Sequence, residues 1–264
     1  MKKTNYLINI YNPGGNITAL VSPIVFEPNI KKKINDLIMK KYLNVEQVGF
    51  VNNLKSKNVL EMAGGEFCGN ATRCSAYYYL QGLPGKINIT VSGSNDVLST
   101  GINNNGYVWV QIPISQIKVY KMEFGTIVEF PGITILVIDR NNYQYTSPNQ
   151  AKNIAYLLLK NRNLLLTKKA AGVMFVDKTS NLIKIDPIVW VRDIKTLFFE
   201  TGCASGSMAV GIVKSLKMRS SINLPILQPV NKLLYADIEY QNNMILSAKI
   251  TGQLKLINCI KANF

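Results

Sequence analysis

The sequence contains no histidine, and this absence removes the commonest general base of enzymes together with the commonest metal ligand of proteins. Any proton transfer would fall to cysteine, glutamate, aspartate, lysine or tyrosine. Only four cysteines occur among 264 residues, at positions 68, 74, 203 and 259, and so few do not make a disulfide scaffold. A structural zinc site would need all four, and their spacing matches no zinc finger or ribbon. We therefore expect no metal.

Long apolar runs are missing as well. No run reaches the ~18–20 residues that cross a bilayer, and the start of the chain does not resemble a signal peptide. We expect a cytoplasmic protein with reduced thiols and no membrane association. The net charge of +15 would suit a nucleic acid, but the lysines are scattered and the longest run is Lys31, Lys32 and Lys33. We expect no nucleic-acid partner, and a basic nucleic-acid-binding protein is only a remote alternative.

What the sequence does contain is mostly short strand patterns separated by turn residues. Strands are predicted at residues 6–11, 17–21, 47–51, 58–62, 87–91, 107–112, 126–130, 133–139, 172–176, 183–190, 222–227, 233–240, 244–250 and 255–260. Periodicity and composition predict helices at residues 29–42, 69–80, 149–161 and 204–218.

Two of the predicted helices, 69–80 and 204–218, are rich in small and apolar residues, and each directly follows a cysteine. Because Cys68 and Cys203 lie about half the chain length apart, the same order of strands, cysteine and helix occurs twice. We predict an α+β fold of two similar domains related by a pseudo-twofold axis. The boundary is predicted between residues 113 and 118, which gives domains 1–115 and 116–253, with the C-terminal strand 254–264 as a candidate to complete the first.

A thiol just before the first turn of a helix is an activated group. The free backbone N–H groups and the positive end of the helix dipole stabilise a thiolate, and they can also bind a carboxylate. Two such units facing each other suit the inversion of an amino-acid α-carbon, which needs a base on one face and an acid on the other. The helix ends would stabilise the carbanion through the substrate carboxylate, so no cofactor is expected.

Other roles for the cysteines are possible. A cysteine before a helix is most often a small core residue, although two in matching Gly-containing contexts are less easily explained in this way. Cys74 and Cys259 are predicted to lie in the core. A nucleophilic cysteine hydrolase normally needs a histidine partner, which this sequence lacks.

The segment from Glu66 to Thr72 resembles the first cysteine motif of the diaminopimelate epimerases, and Cys203-Ala204-Ser205-Gly206 resembles the second. Residues 11–16 look like the N-terminal substrate loop of that family. The resemblance implies that each domain is a curved, mainly antiparallel sheet wrapped around a central helix. It implies catalysis without pyridoxal phosphate by the two cysteines. The substrate-binding residues would include Asn16, Gly69, Asn70, Ala204 and Ser205.

A branch of this family, the histidine racemases, is the most similar. Residues 11–18, 46–50, 91–93 and 187–190, the last running on into Phe199 and Glu200, resemble that branch. Diaminopimelate epimerases hold the distal end of their substrate with a Glu-Arg pair shortly before the second cysteine, and residues 193–196 lack this pair. Groups expected near residue 132 and in residues 171–175 are also missing, so histidine is favoured over diaminopimelate because unpaired buried charges are costly.

Glu46 and Glu200 complete the candidate site. With no histidine available, these carboxylates are expected to hold the α-ammonium or to help deprotonate a cysteine, without an assignment of which does which. The alternatives are a diaminopimelate epimerase, a racemase of lysine or ornithine, and, with less similar motifs, a proline-racemase-like enzyme. An isomerase of the phenazine-biosynthesis type shares the fold without the cysteine pair. The expected partner is an amino acid, and a homodimer is a candidate assembly.

Overall fold

The computed structural model describes residues 5–52, 57–112, 114–178 and 182–263. In these residues the strands are β1 Asn5–Asn12, β2 Thr18–Ser22, β3 Gln47–Val51, β4 Val59–Met62, β5 Gly85–Val91, β6 Val97–Ile102, β7 Val108–Ile112, β8 Lys118–Met122, β9 Gly125–Phe130, β10 Ile133–Asp139, β11 Ala170–Asp177, β12 Ile183–Val191, β13 Thr196–Phe199, β14 Ile222–Leu227, β15 Leu233–Gln241, β16 Met244–Gly252 and β17 Lys255–Asn263. The helices are α1 Pro28–Lys41, α2 Gly69–Leu80, α3 Pro148–Lys160, α4 Leu164–Thr167 and α5 Ala204–Met218. Within the described part of the chain, no helix is both long and apolar enough to cross a membrane.

The strand pairing repeats along the chain. In the first half, two pairs are parallel, β2–β3 and β4–β5. The other four pairs, β1–β2, β3–β4, β5–β6 and β6–β7, are antiparallel. The same series recurs in β9–β10, β10–β11, β11–β12, β12–β14, β14–β15 and β15–β16. Strands β7 and β16 occupy equivalent places and pair antiparallel with each other. The predicted α+β fold of two similar, pseudo-twofold-related halves is confirmed.

The C-terminal strand belongs spatially with the first half. Strand β17 pairs with β1 just as β8 pairs with β9, antiparallel and next to the first strand of the repeated series. The predicted boundary falls at the short 3-10 turn Ile114–Gln116, and residue 113 lies outside the described residues. We propose that residues 1–115 form one domain, completed by 254–264, and that residues 116–253 form the other.

Helices α2 and α5 are the central helices of the two halves. Helix α2 packs against β2, β4, β5, β6 and β7, and α5 packs against β9, β10, β11, β14, β15 and β16. Their small residues permit this close approach: a Cβ at Gly211 would come within 2.5 Å of the Cβ of Ala236 on β15. Both helices end at a residue in the left-handed conformation, Gln81 and Arg219. The predicted ranges of these two helices match the structure.

One core assignment is wrong. Cys74 is fully buried, as predicted, but Cys259 is exposed. Cys259 lies on β17, whose only described pairing is with β1, so the thiol is not covered by another layer of the fold.

Candidate functional site

The N-termini of α2 and α5 meet. A Cβ built on Gly69, the first residue of α2, would lie 3.0 Å from the Cβ of Ala204 and 3.8 Å from the backbone nitrogen of Ser205. Glycine at position 69 therefore allows the two helix ends to approach closely. Cys68 and Cys203, the residues just before these helices, line the same enclosed cavity of about 40 Å³. One water molecule needs roughly 10–15 Å³ by this measure, so the cavity is small.

Cys68 is held by groups on both sides. Its thiol donates a hydrogen bond to Gln47 Oε1 at 3.0 Å, and its sulfur accepts from the backbone N–H of Ala71 at 3.4 Å. Gln47 is itself fixed, because its Nε2 donates to Thr18 Oγ1 at 2.6 Å. Burial raises the pKa of the Cys68 thiol well above its usual range, and the N–H of Ala71 acts in the opposite direction. Burial of Cys68 thus favours the neutral thiol over the thiolate.

Cys203 has a similar cap but a different neighbour. Its sulfur accepts from the N–H of Gly206 at 3.3 Å, and its own backbone N–H donates to Gln228 Oε1 at 2.8 Å. Burial raises the pKa of the Cys203 thiol, and the nearby Glu200 carboxyl raises it further. The helix N–H groups do favour the thiolate, as the sequence argument holds, but burial outweighs them at both cysteines.

Glu200 is the carboxylate next to Cys203. The residue is half-buried, and its Oε2 is enclosed and has no hydrogen-bond partner among the described residues. Burial raises the pKa of Glu200 to about 8, whereas its interactions with Cys203 and Asn16 act to lower the pKa. A carboxyl group that titrates near neutral pH beside a thiol is suited to exchange protons with that thiol.

Glu46 supports the loop before Cys203. Its Oε2 accepts from the backbone N–H of Thr201 at 2.9 Å, and its Oε1 accepts from the Thr201 hydroxyl. Thr201 Oγ1 in turn accepts from the backbone N–H of Asn16 at 2.7 Å. Burial raises the pKa of Glu46, and the bonds from Thr201 oppose this rise. Both oxygens of Glu46 are therefore engaged in joining residues from the two halves.

The remaining predicted residues also line this cavity, except Gly69, which lies at the contact between the two helix ends. Asn16 is buried with a φ of 57°, and its Oδ1 has no partner among the described residues. Asn70 Nδ2 donates to the carbonyl of Gly202 at 3.0 Å, which ties α2 to the loop before α5. Gly15, the residue before Asn16, has a φ of 102°, and a Cβ there would lie 2.3 Å from the Thr201 carbonyl oxygen. The cavity is lined by Asn16, Glu46, Cys68, Asn70, Glu200, Cys203, Ala204 and Ser205.

The family follows from comparison with known proteins. The family model of the histidine racemase CntK N-terminal domain matches residues 8–262. The chain belongs to this family. It is 30% identical over 241 residues to a histidine racemase of Fusobacterium nucleatum, covering 85% of this chain and 86% of that protein. It is 23% identical over 239 residues to a histidine racemase of Staphylococcus aureus, covering 85% of each chain. The protein is an isomerase, an amino-acid racemase, and the resemblance found in the sequence is confirmed.

Solved structures show the same fold at low identity. A hydroxyproline epimerase from Agrobacterium vitis has a TM-score of 0.66 at 10% identity, covering 100% of this chain and 92% of that one. A putative phenazine biosynthesis PhzC/PhzF protein from Clostridium difficile has a TM-score of 0.59 at 13% identity, covering 98% of both chains. These likenesses concern the fold alone.

Several polar residues of the racemase cavity escaped the sequence argument. Gln47 and Glu66 lie within the segments that resemble the family, and only their neighbours received roles. Glu66 is buried, and burial raises its pKa to about 7. Gln228 is fully buried and holds the start of α5, with its Nε2 donating to Ser207 Oγ at 3.0 Å. Asn35 lies 33 positions before Cys68, and no local pattern connects it with the site. Thr196 lies in the stretch 193–196, which the sequence analysis considered only for its missing Glu-Arg pair.

Proposed function

We propose that this racemase interconverts L- and D-histidine without a cofactor, using Cys68 and Cys203 as a pair of acid–base groups. The observation that carries the proposal is the meeting of two cysteine-capped helix N-termini at one cavity. The histidine racemases among its relatives support the choice of substrate.

The helix ends would bind the substrate carboxylate. The first backbone N–H groups of α2 and α5, those of Gly69, Asn70, Ala204 and Ser205, have no carbonyl partner within their helices. They suit a carboxylate, and they would stabilise the negative charge that develops there when the α-hydrogen leaves. Asn16 Oδ1 and Glu200 Oε2, both buried and unpartnered among the described residues, are suited to accept from the α-ammonium.

The reaction transfers two protons, one from the substrate and one to it. A thiolate on one face takes the α-hydrogen as a proton and becomes a thiol, and the thiol on the other face gives its proton to the planar carbanion. The two cysteines exchange roles for the reverse reaction. Because burial raises the pKa of both thiols, one of them must first lose a proton to act as the base. Glu200, beside Cys203, is the acceptor that we assign to this step, and the bound ammonium would favour the resulting thiolate.

The test is isotope exchange with a panel of L-amino acids in deuterated buffer, without added pyridoxal phosphate or metal. We expect histidine to gain one deuterium and to approach equal amounts of both enantiomers. Cys68→Ser and Cys203→Ser should each abolish racemisation, while exchange into one enantiomer can persist. Cys259→Ser is the matched control, because that thiol is exposed and outside the cavity.

Two results would contradict this mechanism. Full racemisation by either Cys68→Ser or Cys203→Ser would exclude the two-base scheme, and a requirement for pyridoxal phosphate would exclude cofactor independence. A higher kcat/KM for diaminopimelate, lysine or ornithine would change the substrate and leave the two-cysteine chemistry intact.

The setting of the enzyme is part of the same proposal. We infer a cytoplasmic enzyme that acts on a free amino acid and binds no nucleic acid, despite the net charge of +15. In a mobility-shift assay over a range of salt concentrations, the protein should not change the mobility of DNA or RNA. Sedimentation would test for a homodimer.

A further inference from the structure

The cavity contains an unusual concentration of unpartnered polar atoms. Among the described residues, seven buried side-chain nitrogen or oxygen atoms have no hydrogen-bond partner, and five of them belong to residues lining this one cavity. They are Asn16 Oδ1, Asn35 Oδ1, Glu66 Oε2, Thr196 Oγ1 and Glu200 Oε2. Buried polar groups in folded proteins are nearly always hydrogen-bonded, so such a cluster requires a ligand or water to satisfy it.

The five atoms fall into two groups. Glu200 interacts with Asn16 and Cys203, so that pair belongs to the α-carbon end. Glu66 interacts with Cys68 and Glu200 and also, away from them, with Lys31 on α1 and with Asp193 in the turn before β13. Asn35 lies on α1, and Thr196 is the first residue of β13, which brings both elements to the region of Glu66. This second group consists of Asn35, Glu66 and Thr196.

The second group lacks a cation. No lysine or arginine is among the described residues that line the cavity. Lys31, which interacts with Glu66 from outside the lining, is paired with Glu61 at 3.2 Å. Every unpartnered atom in the group is a hydrogen-bond acceptor, and the Thr196 hydroxyl can donate as well. A ligand group that satisfies these atoms therefore supplies hydrogen-bond donors, of which N–H is the commonest on amino-acid side chains.

The walls between these polar atoms are apolar. Ile133, Val189, Val191, Ile194 and Phe198 line the cavity around them. A flat, compact group with N–H on its edge and carbon on its faces matches this lining. A carboxylate would meet Glu66 and find no cation.

We propose that Asn35, Glu66 and Thr196 form the side-chain pocket of the racemase and select an imidazole through its N–H donors. This assignment rests on the proposed function, since it takes the α-carbon to lie between the two cysteines. Glu66 accepts from one ring N–H. The second ring nitrogen accepts from the Thr196 hydroxyl in a neutral imidazole, or donates to Asn35 Oδ1 in an imidazolium. The pocket rejects side chains that carry a carboxylate or lack N–H donors.

The test compares Glu66→Gln and Thr196→Val with wild type. Each variant keeps the size of its side chain and removes the charge or the hydroxyl. We expect Glu66→Gln to raise the KM for histidine by about tenfold or more, and Thr196→Val by about threefold, with smaller changes in kcat. Glu239→Gln, on the exposed face of β15, is the matched control and should leave both constants unchanged.

A second measurement removes any effect on chemistry or folding. In a Cys68→Ser background, the affinity for L-histidine and for L-methionine is measured by calorimetry. Methionine has a side chain of comparable length without an N–H donor. Glu66→Gln should weaken histidine binding and leave any methionine binding unchanged. Equal loss for both amino acids would indicate a structural defect and overturn the pocket.

The outcomes separate this proposal from the proposed function. If wild type racemises histidine and Glu66→Gln does so with the same KM, the assignment of the side-chain pocket is refuted and the proposed histidine racemase function is retained. If wild type prefers another amino acid with an N–H donor and Glu66→Gln raises the KM for it, the pocket assignment is retained and the choice of histidine as substrate is refuted. Preference for an acidic or purely apolar amino acid would overturn the pocket.

Discussion

Glu66 should lower the stability of the folded protein at neutral pH. The carboxyl group is 6% exposed, and its Oε2 has no hydrogen-bond partner among the described residues. Burial raises its pKa from the ordinary 4.5 to about 7, with Asp193 adding to the rise and Lys31 opposing it. Glu66→Gln puts an uncharged side chain of the same size at this position, so the variant isolates the contribution of the titrating carboxyl.

The size of the effect follows from linkage. Because the folded protein keeps a proton on Glu66 that the unfolded chain has lost, stability falls as pH rises from about 4.5 to about 7. Each unit of pKa shift corresponds to 1.36 kcal/mol, so the fall amounts to at most about 3 kcal/mol. Below this window the carboxyl is neutral in both states and has no such effect. Glu66→Gln should therefore gain stability relative to wild type only as the pH passes through the window.

The assay is urea unfolding of the ligand-free protein at about pH 4, 6 and 8. We expect the free energy of unfolding of Glu66→Gln minus that of wild type to grow by up to about 3 kcal/mol between the first and last pH. Glu239→Gln, at an exposed position, is measured in parallel as the control for removing a carboxyl group outside the cavity. A Glu66→Gln difference that is the same at every pH would refute the reasoning.

Two further predictions concern the cysteines and the loop that docks beside them. Oxidation should abolish activity and a thiol reductant should restore it, because Cys68 and Cys203, if they flank one carbon, are close enough to form a disulfide; activity that resists oxidation would argue against this proximity. Gly15→Ala should reduce stability and activity more than Gly106→Ala, as measured by urea unfolding and racemisation. Both glycines have positive φ, but a Cβ at Gly15 meets the Thr201 carbonyl oxygen at 2.3 Å, whereas one at Gly106 meets nothing within 4 Å. Equal losses would mean that backbone strain alone matters.

The fold was predictable where local pattern and burial agree. Helices α2 and α5 match their predicted ranges because small apolar residues follow a capping cysteine in both. Strands β6, β8 and β13 and the short helix α4 were missed. Strand β8 is mostly exposed, so its sequence has no buried alternation, and its pairing with β9 makes it a strand. Strand β13 has only four residues, each half-buried, and pairs with β12.

The candidate site was predictable only near its motifs. The cysteine segments carry their own signal, because a thiol, small residues and a helix start lie together in the chain. Other groups that complete the cavity come from distant elements, such as Asn35 on α1, and only the fold brings them to the cysteines. The pKa values of the thiols were also beyond local reasoning. The effect of a helix N-terminus can be seen in the sequence, whereas the burial that outweighs it depends on the whole fold.

The charges of the cavity define the substrate that can fill it. Glu46, Glu66 and Glu200 line one small enclosure, and burial raises the pKa of each. One buried and two half-buried carboxyl groups, without a lysine or arginine among the described lining residues, favour a ligand with positive charge or N–H donors. The helix ends at Cys68 and Cys203 favour the opposite, a carboxylate. An amino acid with an α-ammonium, a carboxylate and a donor-bearing side chain meets both demands at once. Its ammonium group would also offset the negative charge of Glu200, which adds to the effect of burial in raising the pKa of both thiols.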